Sequence, residues 1–227
     1  MTYQLYLGDC LEYMKSMPDK SVDFAFVDPP YNVNKDYGTY KDDISEIEYF
    51  DWCQRWISEL RRICKTFAVY PPKKHLLKFW NMIPENYQVI CAWSPEGAIR
   101  GYFVHQYIPL LVPSKPLVRV KDHWWNVQVP GLGYFYREEK FGNPGQTSLD
   151  ITNRIINSFT VTNDVVLDCF MGVGTTGVVC AKRKRNFIGC EIDPTYYAIA
   201  EKRIKEATLQ PQLFTSKPIE ETQEELL

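Results

Sequence analysis

The stretch from Val165 to Glu191 constrains the fold more than any other part of the chain. Val165-Val166-Leu167-Asp168-Cys169 reads as a short apolar strand, Met171-Gly172-Val173-Gly174 as a glycine-bearing turn, residues 175–183 as a helix, and residues 187–191 as a second strand. A strand, a turn, a helix and a strand make a crossover unit, and crossover units build parallel sheets covered by helices. The same grammar runs through the rest of the chain. Residues 3–7, 22–27, 66–70, 89–93 and 106–112 have strand character, and residues 11–17, 45–64, 74–83 and 152–159 helical character, with Ser148 as an alternative start of the last. The helix over 45–64 is the clearest. Ser45 and Glu48 form a capping box, and Ile47, Phe50, Cys53, Ile57, Leu60 and Ile63 recur at three- and four-residue steps. Asp193 caps a last helix with Pro194 in its first turn. The expected fold is α/β, with a doubly wound, mostly parallel sheet.

The glycine turn has a chemical reading as well. A backbone without side chains lets a ligand come close, and the following helix start offers N–H groups and a dipole that favour a carboxylate or phosphate. Nineteen residues after Gly172 comes Glu191, where an acid can accept both hydroxyls of a ribose. Gly172, Gly174 and Glu191 therefore point to an adenosine-bearing ligand. The third glycine of a dinucleotide fingerprint is missing, since Gly177 is out of place and Thr175-Thr176 occupy the helix start. That favours a ligand with no pyrophosphate over NAD. A tight turn with no ligand is the bland alternative, and Glu191 weighs against it.

A second constellation follows the strand over 22–27, whose unbroken apolar character suits burial on both faces. Asp28-Pro29-Pro30-Tyr31 sits where that strand leaves the sheet, the usual place for a site in an open α/β fold. Each proline fixes its own φ and restricts the residue before it. The result is a stiff set of acceptors, the Asp28 carboxylate with main-chain oxygens, beside the aromatic face of Tyr31. An exocyclic amino group on a flat base fits such a set. Asn32 to Asp43, polar and carrying Gly38, reads as a loop.

Composition narrows the class of partner. Residues 65–149 carry ten Lys/Arg against five Asp/Glu, while residues 1–64 carry seven against twelve. A basic middle in a chain of net charge −2 suggests one face for an anionic partner, with ordinary surface variation as the alternative. The seven cysteines contain no C-x-x-C pair, which argues against a disulfide framework and a zinc knuckle and for a reducing cytosol. Cys169 and Cys190 lie in apolar strands and read as core residues. His75, His105 and His123 lack metal-ligand spacing. No run approaches a membrane span. Residues 113–142 are the least regular; Lys115, Arg119, Lys121, Trp124, Trp125 and Arg137 there, with Asn32, are candidates for nucleic-acid contact, an interface or minor core being the alternative for the tryptophans. Residues 1–210 read as one domain and 211–227 as an acidic, mobile tail.

The chain resembles the amino-methyltransferases that act on DNA bases with S-adenosylmethionine. The likeness rests on Asp28-Pro29-Pro30-Tyr31 with Asn32 and on Phe170-Met171-Gly172-Val173-Gly174, and extends to Leu7-Gly8-Asp9 and Asn143-Pro144-Gly145-Gln146-Thr147-Ser148-Leu149. The tetrapeptide comes first and the glycine loop last, an order similar to the family's β group, whose fold is the Rossmann-like methyltransferase fold with a permuted motif order. Departures are Asn143, where the family often has His, and Thr147-Ser148, where it often has Lys-Pro. The resemblance implies S-adenosylmethionine as cofactor, S-adenosylhomocysteine as product, and no metal. It implies a catalytic role for Asp28, Pro29, Pro30 and Tyr31. It implies cofactor contacts from Asp9, Cys10, Asp28, Asp168, Phe170, Gly172, Gly174, Thr175, Thr176 and Glu191, with Asp9 near the adenine and the two threonines near the methionine carboxylate. Asp9 as a plain helix cap and Thr176 as a packing residue are the alternatives. The implied activity is methylation of the adenine N6 amino group in a base flipped out of double-stranded DNA. Methylation of cytosine N4 is the runner-up, followed by an RNA amino-methyltransferase and an inactive nucleic-acid-binding partner. The family's frequent dimers and the short target-recognition insertion over about 113–142 make a homodimer attractive. The expected location is a bacterial or phage-type cytosol, associated with the nucleoid.

Overall fold

The computed structural model describes residues 1–37, 40–85, 88–93, 107–113, 141 and 146–209. Nine strands and six helices are assigned among them: β1 (Tyr3–Leu7), α1 (Cys10–Ser16), β2 (Val22–Val27), β3 (Asp36–Tyr37), β4 (Tyr40–Lys41), α2 (Glu46–Ile63), β5 (Cys64–Val69), α3 (Leu76–Met82) after a 3-10 turn at Lys73–His75, β6 (Gln88–Trp93), β7 (Tyr107–Val112), α4 (Leu149–Phe159), β8 (Val165–Asp168), α5 (Thr175–Arg183), β9 (Asn186–Glu191) and α6 (Pro194–Leu209). Seven strands form one sheet in the order β1-β9-β8-β2-β5-β7-β6. Pairing is parallel from β1 through to β5, and β7 runs antiparallel to both of its neighbours.

Period-two alternation explains how the sheet is covered. Phe24 and Phe26 of β2 pack on one face with Ile151, Ile155 and Phe159 of α4 and with residues of α5 and α6. Ala25 and Val27 point the other way, into a core with Met14 of α1, Trp56 and Leu60 of α2 and Phe79 of α3. Both faces of β2 are thus closed, as its unbroken apolar run requires. The capping box at Ser45 forms, with Glu48 N–H donating to the Ser45 hydroxyl and the Glu48 carboxylate accepting from Ser45 N–H. Ser148 caps α4, its hydroxyl accepting from Asp150 N–H.

Three local features differ from the sequence reading. The loop after the tetrapeptide carries a two-stranded hairpin, β3 with β4. β5 begins directly at Cys64, where α2 stops, rather than at Thr66. α3 is entered through the 3-10 turn, because Pro71 and Pro72 delay the start of regular helix. Gly177 has a packing role. A Cβ there would lie 2.4 Å from Ile204 Cδ1, so its absence lets α5 and α6 approach.

Chain direction fixes where a ligand can go. From β8 the chain crosses through α5 to β9 on one side, and from β2 through α2 to β5 on the other. The connections reverse between β8 and β2, so a crevice opens at their carboxyl ends.

Candidate active site

Five adjacent parallel strands each deliver residues to that crevice at their carboxyl ends. They are Gly8 and Asp9 after β1, Glu191 on β9, Asp168 on β8, Asp28 after β2 and Tyr70 after β5. Together they line a cavity of about 410 Å³, within the range of roughly 300–1,000 Å³ usual for small-molecule sites. The acidic corner and the glycine turn therefore face one space.

The glycine turn is held open by its backbone. Gly174 takes φ of +79° as the N-cap of α5, and a Cβ on it would lie 2.9 Å from Ala200 Cβ, so only glycine fits this turn against α6. Glu191 braces the turn from β9. Its Oε2 accepts from Gly172 N–H at 2.9 Å and its Oε1 from Asp193 N–H at 2.8 Å. Arg203 of α6 donates to the Val173 carbonyl and lies over the Phe141 ring at 4.1 Å. At the start of α5, the Thr175 hydroxyl is buried with no hydrogen-bond partner among the described residues, and Thr175 lines the cavity. A buried unpartnered hydroxyl costs free energy unless a ligand satisfies it. Thr176 is committed elsewhere, its hydroxyl donating to Asp168 Oδ2 at 2.6 Å, while Phe170 N–H donates to Asp168 Oδ1 at 3.1 Å.

Asp28 is gripped from two sides. The Tyr31 phenol donates to its Oδ1 and the Thr147 hydroxyl to its Oδ2, each at 2.8 Å. Its Pro-Pro neighbours are anchored too, with the buried Tyr49 phenol of α2 donating to the Pro30 carbonyl at 2.9 Å. Asp28 keeps part of its surface open to the cavity, yet the protein surrounds it at longer range. Burial pushes its carboxyl up to about 6, with the hydroxyls of Thr147 and Tyr31 pulling the other way. Asp168 is pushed up to about 7, first by burial and then by the charges of Asp28 and Glu191. Burial also raises Glu191, against the backbone N–H groups it accepts. Three carboxyls repelling one another around one cavity suit a cationic guest.

Asp9 is the N-cap of α1, accepting from Leu11 N–H at 2.7 Å, and it lines the cavity with Cys10. Asn32 takes φ of +52° and belongs to the frame of the tetrapeptide loop, its side-chain amide donating to the Ile44 carbonyl. The hub of that loop is Asp42, 3 % exposed, whose carboxylate accepts from the N–H groups of Asn32, Val33 and Lys35 at 2.7, 2.9 and 3.1 Å. Asp42→Ala strips the acceptor from three N–H groups, at a cost of about 1–3 kcal/mol per group left unsatisfied. We expect a lowered melting temperature by differential scanning fluorimetry; an unchanged melting curve removes Asp42 from this role.

Sequence reasoning missed Asp42, Thr147, Tyr70 and Trp52, of which the last three line the cavity. Tyr70 did carry a signal, because Tyr70-Pro71-Pro72 repeats the strand-then-proline-pair pattern of Asp28-Pro29-Pro30 on the neighbouring strand. Lys115, Arg119, Lys121, Trp124, Trp125 and Arg137 lie outside the described residues, as do His105, His123, Asn143 and the acidic tail. Among the described residues no cluster of His, Cys, Asp and Glu could hold a metal ion, and no helix is long and apolar enough to cross a membrane.

The strand order, the reversal at β8 and β2, and the glycine turn braced by an acid define an α/β protein with a nucleotide-type cleft. Its family is shown by comparison with known proteins. The chain belongs to the DNA methylase family, whose model matches residues 22–70 and 67–202. A type II methyltransferase, M2.MboI of Moraxella bovis, is 26% identical over 246 residues, covering 91% of this chain and 89% of that protein. A DNA adenine methyltransferase of Escherichia coli, YhdJ, is 25% identical over 241 residues, covering 88% and 82%. Among solved structures, the M1.HpyAVI–SAM complex aligns with a TM-score of 0.68 at 24% identity, over 89% of this chain and 99% of that one, a likeness of fold.

Proposed function

We propose that this chain transfers a methyl group from S-adenosylmethionine to the exocyclic N6 amino group of adenine in a base flipped out of double-stranded DNA. The observation that carries the reading is the single cavity shared by Asp28-Pro29-Pro30-Tyr31 and by the glycine turn with Glu191. Family membership supports a DNA substrate. The Escherichia coli relative's name, together with aspartate at the head of the tetrapeptide, supports adenine over cytosine.

The residues present fit the cofactor. The Thr175 hydroxyl and the N–H groups opening α5 would take the methionine carboxylate. Glu191 keeps acceptor capacity for ribose hydroxyls beside its backbone donors, Gly172 and Asp193 among them. Asp9 and Cys10, which line the same cavity, would meet the adenine, and the three carboxyls would offset the cofactor's positive charge. Bound there, S-adenosylmethionine supplies a sulfonium-activated methyl group, so no metal is required. The chain's own task is to make the amine nucleophilic. Asp28 and the Pro29 carbonyl accept its two N–H bonds and draw the lone pair out of the ring, an effect that strengthens as positive charge grows on nitrogen. Alignment of nitrogen, carbon and sulfur within the cavity supplies much of the rest. Tyr31 stacks on the flipped base, a contact of about 1–3 kcal/mol.

The test is incubation with methyl-labelled cofactor and plasmid, followed by digestion to nucleosides. Label in N6-methyladenine supports the proposal. Label in N4-methylcytosine overturns the choice of base, and unlabelled DNA overturns the function. A homodimer belongs to the same proposal, on the ground that the variable segment over about 113–142 is short for reading a site alone. Light scattering is expected to give twice 26.6 kDa, and a strict monomer at high concentration refutes it. A cytoplasmic location accords with the DNA substrate.

A further inference from the structure

The contact between Thr147 and Asp28 joins residues 119 apart in sequence and ties the two halves of the site together. Thr147 directly precedes Ser148, the N-cap of α4, and α4 is fastened by Ile151, Ile155, Ile156 and Phe159 in the core. The Ser148 carbonyl accepts from both the backbone N–H and the hydroxyl of Thr152, at 3.0 and 2.9 Å. On the other side, Gln146 accepts from Phe141 N–H at 3.1 Å. Thr147 thus stands on a rigid mount. Tyr31 reaches Asp28 from only three residues away, within the same turn, and carries a ring that the reaction needs on the face of the base.

Resting on the methyl-transfer reading above, we propose that Thr147 is a positioning residue for Asp28: its hydroxyl holds Oδ2 throughout, and Oδ1 exchanges the Tyr31 phenol for the incoming amino group. The exchange keeps the number of hydrogen bonds at Asp28 constant and releases the Tyr31 phenol. One N–H of the amine replaces the phenol O–H at Oδ1, the freed ring turns onto the base, and the carboxylate plane stays where Thr147 sets it. A carboxylate held at one oxygen keeps its other lone pairs aimed, which is the condition for catalysis by a preorganised acceptor.

Thr147→Val removes the hydroxyl at nearly constant volume. Expected are cofactor affinity within about threefold of wild type, KM for DNA little changed, and kcat lower by roughly 10–100-fold, the scale on which a small misplacement of a reacting group slows the chemistry. The acid limb of the kcat profile moves to higher pH, because the Thr147 hydroxyl is one of the donors that hold the Asp28 carboxyl down. Thr147→Ser restores the hydroxyl and is expected to restore both kcat and the profile. Should the valine variant fail to fold, Thr147→Ala carries the same expectations. Wild-type kcat and an unmoved acid limb in the variant without the hydroxyl overturn the proposal, as does failure of serine to rescue. These outcomes are distinct from failure of the functional reading, which shows as absence of methylation by the wild-type protein itself.

Discussion

Asp28→Ala is expected to lower kcat for methyl transfer by about a hundred- to a thousandfold, the effect of removing one preorganised group from a developing charge. The same variant keeps S-adenosylmethionine affinity within about tenfold, because the Thr175 hydroxyl, the α5 N–H groups and Glu191 remain. Asp28→Asn is the sharper form. It preserves shape but presents an N–H₂ on one side, and both oxygens of Asp28 now accept from hydroxyls. One of the two hydroxyls must then turn to accept from the amide, and the variant loses one of the acceptors that the incoming amine needs. Single-turnover methylation with calorimetric cofactor binding separates the two effects. Undiminished transfer by either variant removes Asp28 from the chemistry.

Cofactor affinity is expected to rise by one to three orders of magnitude between pH 5 and pH 8. The sign follows from the carboxyls. Burial puts Asp28 up to about 6 and Asp168 up to about 7, so both are protonated in the free protein at pH 5. A sulfonium-bearing guest binds best to ionised carboxylates, and each proton it must displace weakens binding tenfold per pH unit below the group's pKa. The free protein shows the opposite trend. Raised carboxyls contribute their stability below the unfolded value near 4 and lose it as pH rises through about 6 to 7. The ligand-free melting temperature should therefore carry a contribution that falls from pH 4 to pH 7, while the stabilisation by S-adenosylmethionine grows over the same interval. S-adenosylhomocysteine, whose sulfur is neutral, should show a shallower slope. Differential scanning fluorimetry across pH with both ligands measures this, and equal slopes contradict the account.

Much of the fold was legible because the local signals agreed with one another. The unbroken run at 22–27 meant burial on two faces, and Phe24 and Phe26 on one side with Ala25 and Val27 on the other fill two cores. Ser45 with Glu48, and Ser148, marked helix starts that formed as caps. The site was legible where a residue type and a strand end coincide, as at Asp28, Asp168 and Glu191. It was not legible where the partner is remote. Nothing local in Gln146-Thr147-Ser148 announces a hydroxyl aimed at Asp28, because that contact exists only once α4 packs against β2. Asp42 was hidden for the converse reason: an acid in a polar loop looks solvated until the chain folds three N–H groups around it. Trp52 sits beside the apolar stripe of α2, and only the tertiary fold turns it toward Phe170, 5.4 Å away between ring centres, and the cavity.

The most direct test of the shared cavity is a crystal structure of the protein with S-adenosylmethionine. The account predicts the methionine carboxylate at Thr175 and the start of α5, the ribose at Glu191, and the transferable methyl group directed into the space beside Asp28. A cofactor seated outside this cavity, or one whose methyl group points away from Asp28, contradicts it.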